Sequence, residues 1–152
     1  MTDATVARQH NSEGLQMTKN REQLRGLLNT RRFATTIGLA GLAAVHIMDL
    51  PAKWAETQYL AFAYIGAIVA AGVLIERLLA SGRPVDYLAS AGLALAVMAG
   101  FAVNRIVGMP GAMDDLGNWF EPLGLLSVFV EVFTVYLAVE GYRIARRLLA
   151  LP

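Results

Sequence analysis

Apolar positions along the chain fall into four long blocks separated by short polar stretches. They cover residues 33–50 (FATTIGLAGLAAVHIMDL), 59–80, 87–108 and 123–144. A helix rises about 1.5 Å per residue, so a hydrocarbon core of about 30 Å needs roughly 20 residues. Blocks two, three and four meet that length. Block one is shorter, because its uninterrupted apolar run ends at Val45, and a half-buried hairpin competes with a full crossing there. Upstream, Leu24, Leu27 and Leu28 recur at helical spacing among basic residues, which predicts an amphipathic surface helix over 14–32. A solvated leader is the alternative. Residues 1–13 are polar and read as a disordered leader. The predicted fold is therefore all-α: an antiparallel four-helix transmembrane bundle over 33–148, preceded by an amphipathic N-terminal helix.

The polar breaks are short. Ser81-Gly82-Arg83-Pro84 is a turn signal, the first outer loop starts at Pro51 with Trp54, and a longer one covers 109–121 with Trp119. Both tryptophans suit an interfacial aromatic belt, and Pro122 suits the first turn of span four. Within the spans, Gly92, Ala96 and Gly100 recur every four residues, and Gly38 with Ala34 and Gly66 with Ala70 repeat the pattern. Small residues at that spacing permit close helix packing, either within the chain or against a partner subunit.

Charge gives a direction. Arg8, Lys19, Arg21, Arg25, Arg31 and Arg32 precede span one, Arg77 and Arg83 flank the turn after span two, and Arg143, Arg146 and Arg147 follow span four. Eleven of the 13 basic residues thus fall on one side of a four-crossing chain, leaving Lys53 and Arg105 on the other. By the positive-inside rule both termini are cytoplasmic. Only 16% of the 152 residues are charged, against about 25% in a soluble domain. A net charge of +1 offers no electrostatic case for nucleic acid as a partner. The absence of cysteine excludes disulfides, thiolate metal sites, iron–sulfur clusters and cysteine nucleophiles. The polar first 32 residues contain no cleavable signal peptide.

Ionisable groups inside a span are costly and point to function or to a buried pair. Glu131 lies nine residues into span four from Pro122, roughly 13 Å from its outer end. Arg105 near the end of span three is placed to reach it, and His46 in span one lies at a similar level. Asn104 and Tyr64 add hydrogen-bonding groups in the same half. An Arg105–Glu131 pair that fixes helix register is one reading. A pocket opening outward, in which His46 or Glu131 holds a proton or a ligand, is the other. Glu76 and Glu140 near the inner ends pair simply with Arg77 and Arg143. His46, Asp49, Met48, Met109, Met113, Asp114 and Asp115 form a mixed donor set of the kind that takes copper or another divalent ion, although solvated acidic loops account for most of them. No GxSxG, HExxH or phosphate-loop motif occurs, so no catalytic residues are predicted. His10 lies in the leader, which excludes a bis-His haem within one chain's spans. No cofactor is indicated.

The stretch NRIVGMPGAMDDLGNWFEPLGLLSVFVE over 104–131 resembles a group of small, uncharacterised four-span bacterial membrane proteins. That group shares an arginine ending span three, a V-G-x-P-G turn, a W-x-E-P-L-G start to span four and a glutamate within it. The matching residues are Arg105, Val107, Gly108, Pro110, Gly111, Trp119, Glu121, Pro122, Leu123, Gly124 and Glu131, together with His46. The layout is also loosely similar to DoxX-like proteins. The resemblance implies a bacterial plasma (inner) membrane and polar residues that belong together, but brings no activity with it. Three function classes follow: a non-catalytic accessory subunit of a larger membrane complex, associating with other subunits or itself; an oligomeric transporter or channel for protons, a metal ion or a small solute; and a redox or quinone-binding component.

Overall fold

Helix is the only way a single apolar segment can satisfy its own backbone groups in lipid, and the described chain is almost entirely helical. The computed structural model describes residues 3–151, with side chains from residue 14 onward. It holds four long helices and, among the described residues, no strand: α1 (Asp3–Glu56), α2 (Gln58–Ala80), α3 (Pro84–Ile106) and α4 (Pro122–Ala150). All four are long and apolar enough to cross a membrane. The expected spans two to four match α2, α3 and the first part of α4.

Span one differs from expectation. The segment 14–32 is not a separate surface helix; it is continuous with span one in α1. The backbone is helical from Asp3, where a disordered leader is expected over 1–13, while residues 1 and 2 lie outside the described residues. Pro51 does not open a loop either. It sits inside α1, which runs on to Glu56, so Thr57 alone separates α1 from α2. Proline forfeits only one helical hydrogen bond, and α1 keeps its register past it.

The opposite turn is fixed locally. Pro84 occupies the first turn of α3, where its missing N–H costs nothing. Asp86 accepts from the Arg83 backbone N–H at 2.9 Å, from Ser81 Oγ at 2.9 Å and from Arg77 Nε at 2.8 Å. One buried carboxylate therefore ties the end of α2 to the start of α3.

Leu39 and Leu42 of α1, Ala71 and Leu78 of α2, Tyr87 and Ala94 of α3 and Ala145 of α4 form the central cluster. Thr35, Ser90, Ser127, Glu131 and Thr134 are buried among the helices, whereas Ile37, Phe62, Val69, Phe129 and Phe133 are exposed. Small and polar side chains inside with bulky apolar ones outside is the distribution expected where the surroundings are as apolar as the interior.

Close approach occurs at two glycines. A Cβ at Gly38 would overlap Thr134, and one at Gly141 would overlap the ring of Tyr87. These fix the α1–α4 and α3–α4 contacts. The expected stripes in spans two and three behave otherwise: a Cβ at Gly66, Gly92 or Gly100 would meet no atom within 4 Å. α2 and α3 lean against α1 and α4 more than against each other, and their small residues line a gap.

Lys53, Trp54 and the 107–121 connection share one end of the molecule, through contacts of Lys53 with Asp115 and Thr57 with Gly111. At the other end Arg21 donates to the Leu151 carbonyl, and Gly82 lies against Arg32. They are termed the tryptophan end and the arginine end.

Candidate functional site

The gap between α2 and α3 widens toward the tryptophan end into a cavity of about 370 Å³, within the range of small-molecule sites. Its walls are largely apolar or small: Leu60, Ala63, Ala67, Ala96, Gly100 and Phe101 among them. Its polar groups are His46, Asp49, Lys53, Tyr64, Asn104, Arg105, Asp115, Glu121 and Ser127.

The loop that closes this end depends on local backbone chemistry. Gly108 and Gly111 of the V-G-x-P-G turn have φ of +79° and +77°, which side chains with a Cβ rarely adopt. The reversals bring a short 3₁₀ turn, Met113–Asp115, back over α3. Asp115 then becomes a hub. It accepts from Arg105 Nη1 at 2.6 Å, from Asn104 Nδ2 at 2.9 Å and from Lys53 Nζ at 3.2 Å. Lys53 also reaches Glu56 at 3.0 Å, and the other arm of Arg105 pairs with Glu121. The Arg105 side chain is 3% exposed. It stands over the Phe101 ring with its guanidinium carbon 5.0 Å from the centroid, and the Gly117 N–H closes onto its carbonyl at 2.9 Å. Burial by itself would raise the Asp115 carboxyl. The hydrogen bonds from Arg105, Asn104 and Lys53 outweigh it and hold the group below the usual aspartate value.

Arg105 therefore turns toward the loop, and the expected Arg105–Glu131 pair does not form. A long side chain near a helix end reaches the carboxylates at its own level more readily than one deeper in the bundle. Glu131 is fully buried and accepts from Ser127 Oγ at 2.6 Å, with its second oxygen unpartnered. Among the described residues no cation pairs with it. Ser127 lines the cavity, so Glu131 stands one side chain behind the wall.

On the opposite wall, His46 Nδ1 lies 2.9 Å from the Leu42 carbonyl. A carbonyl only accepts, so Nδ1 carries a proton in this contact. The His46 ring meets Tyr64 edge-on at 4.6 Å, and Tyr64 donates to Asp49 at 3.0 Å. Asn104 Oδ1 is buried without a partner. The charged groups at the mouth are thus largely consumed by one another, and His46 and Asn104 add neutral polar groups to the cavity lining.

His46, Arg105, Asn104 and Tyr64 do share this cavity. Of the mixed metal-donor set, His46, Asp49, Met109 and Asp115 line the cavity, whereas Met48, Met113 and Asp114 do not. Asp49 and Asp115 are engaged as described, Met48 and Asp114 are exposed, and Met113 folds over Gly108. Among the described residues no three His, Cys, Asp or Glu side chains come together as a metal site. Three further residues line the cavity that the sequence does not place at the site: Lys53, Glu121 and Ser127. Lys53 carried a signal, since it and Arg105 are the two basic residues on an end rich in acids. Comparison with protein-family models, curated proteins and solved structures finds no match to this chain.

Proposed function

We propose that this chain is a non-catalytic component of a bacterial plasma membrane, an antiparallel four-span bundle with both termini cytoplasmic. In this reading its tryptophan-end cavity holds a small neutral amphipathic molecule on behalf of a larger membrane assembly. The cavity is the observation that carries the reading. A ligand with a hydroxyl or N–H head would find hydrogen-bonding partners among the polar lining residues His46, Tyr64, Asn104 and Ser127, where an unpaired polar group is costly. Its apolar body would lie along the small-residue walls of α2 and α3. An anionic ligand is disfavoured, because Arg105 and Lys53 are already engaged by Asp115, Glu121 and Glu56. Sorting of eleven basic residues to one end supports the orientation.

Gentle extraction followed by mass spectrometry of proteins and small molecules tests both parts. A stoichiometric protein partner and a neutral amphiphile are expected to co-purify. Gly100→Leu should expel the amphiphile without unfolding the bundle, because no atom stands where its Cβ would go. A lone monomer would refute the subunit role, and ligand retention in Gly100→Leu would refute the cavity's role.

The Ser127–Glu131 contact favours one further reading, proton-coupled movement of a solute through an oligomer, with Glu131 as the carrier. Glu131→Gln should then abolish pH-dependent flux in liposomes, and unchanged flux would eliminate the carrier.

A further inference from the structure

At the arginine end, a second and wider groove of about 860 Å³ lies between α1, the α2–α3 turn and α4. Arg21 and Arg25 enter it from α1, Arg83 from the turn and Arg146 from α4. Among the described residues no acidic one lines it. Residues distant in sequence thus bring four guanidinium groups to one concavity.

Ion pairing separates the arginines. Arg77 is paired with Asp86 and Arg143 with Glu140, and neither lines the groove. Arg25, Arg83 and Arg146 line it, and among the described residues none of them pairs with a carboxylate. The adjacent acid, Asp86, is already held by Arg77, Ser81 and the Arg83 N–H. Arg21 is anchored on the Leu151 carbonyl at 3.2 Å. The like charge of Arg25, Arg83 and Arg146 in one concavity is unfavourable until an anion enters it, and guanidinium groups match phosphate oxygens in geometry.

The remaining walls choose among anions. Leu28, Leu88 and Leu149 line the same groove, and Leu88 and Leu149 are exposed. The volume far exceeds what an inorganic phosphate fills, and apolar walls add nothing to holding one. A phosphate that continues into a glycerol and acyl chains satisfies both halves.

We propose that the arginine-end groove binds the phosphate of an anionic phospholipid, with the start of its acyl chains against Leu28, Leu88 and Leu149. This site is separate from the tryptophan-end cavity and does not depend on the function assigned there.

The test uses the full chain in nanodiscs of phosphatidylglycerol mixed equally with phosphatidylcholine, released into native mass spectrometry. Phosphatidylglycerol should remain bound in preference to phosphatidylcholine. The double variant Arg83→Gln/Arg146→Gln should lower that retention by about thirtyfold, and Arg143→Gln, outside the groove, should leave it unchanged. Both altered residues of the double variant are exposed, so folding is expected to survive; the lipid preference of the unaltered chain provides a readout that needs no variant. Equal retention of the two lipids would overturn the proposal, as would an equal effect of the double variant and Arg143→Gln. Displacement of phosphatidylglycerol by millimolar inorganic phosphate would show an ion site and overturn the lipid assignment.

Discussion

At the residue scale, two positions concentrate the consequences. Gly141 is smooth because Tyr87, fully buried, lies where its Cβ would be. Gly141→Ala should cost about 1–3 kcal/mol, as overpacking of a filled interior does, and should lower the thermal midpoint in detergent. Combining it with Tyr87→Leu should cost less than the sum of the two single changes, since one relieves the other. Asp115 is the second position. Asp115→Ala removes the hub carboxylate from beside a nearly buried Arg105, and should destabilise by about 3 kcal/mol. Its pH dependence has a definite sign. The folded carboxyl binds a proton less readily than the unfolded one, so acid favours unfolding. Its contribution is complete above the ordinary aspartate value and is lost progressively as pH falls below about 4. Melting curves from pH 7 to pH 3 should show the unaltered chain losing more stability than Asp115→Asn over that lower range.

At the scale of elements, α1 sets the architecture. Its 54 residues correspond to about 80 Å of helix, far more than one crossing needs. The surplus lies at the arginine end, where the side chains of 14–20 are all exposed and Arg21 reaches the end of α4. Because the chain contains no cysteine, Arg21→Cys with Leu151→Cys should form a cross-link with a short bismaleimide. A surface helix swung away from the bundle would leave the pair unlinked. Leu24, Leu27 and Leu28 announce a helix here, but hydrophobic spacing cannot tell a helix that turns onto a surface from one that continues. That depends on a break at residues 31–33, and Arg31-Arg32-Phe33 contains no Gly or Pro to make one. Pro51 suggests a loop in the sequence but sits inside α1, because a lone proline interrupts one hydrogen bond and the helix carries on through the short stretch to Glu56.

At the scale of the molecule, the two ends differ in chemistry. One gathers acids around two cations and roofs a neutral cavity; the other gathers arginines around an open groove. Single cysteines can report which end faces which compartment. Asn118→Cys, at the tryptophan end, should react with a membrane-impermeant maleimide in intact cells, and Arg147→Cys only after permeabilisation. The reverse pattern would invert the proposed orientation. The cavity itself follows from unequal packing. α4 and α2 each find α1 closely, while α2 and α3 stand apart, so glycines that suggest tight helix contact in the sequence become the walls of a space.

The linear sequence by itself determined the four apolar helices, the approximate limits of α2 and α3 and the start of α4, and the sorting of basic residues to one end. Those properties depend on length, hydropathy and charge along the chain, and no neighbour has to be known. It also placed His46, Tyr64, Asn104 and Arg105 in the same half of the molecule, because depth follows from counting residues along a helix. Only the tertiary structure decided which groups meet. Rotation of each helix about its axis, and the path of a loop bent by Gly108 and Gly111, gave Arg105 to Asp115 and Glu121 and left Glu131 with Ser127. Helical periodicity defines a face but not what stands opposite it, and whether Gly38, Gly100 or Gly141 marks a contact or a void depends on that opposing surface.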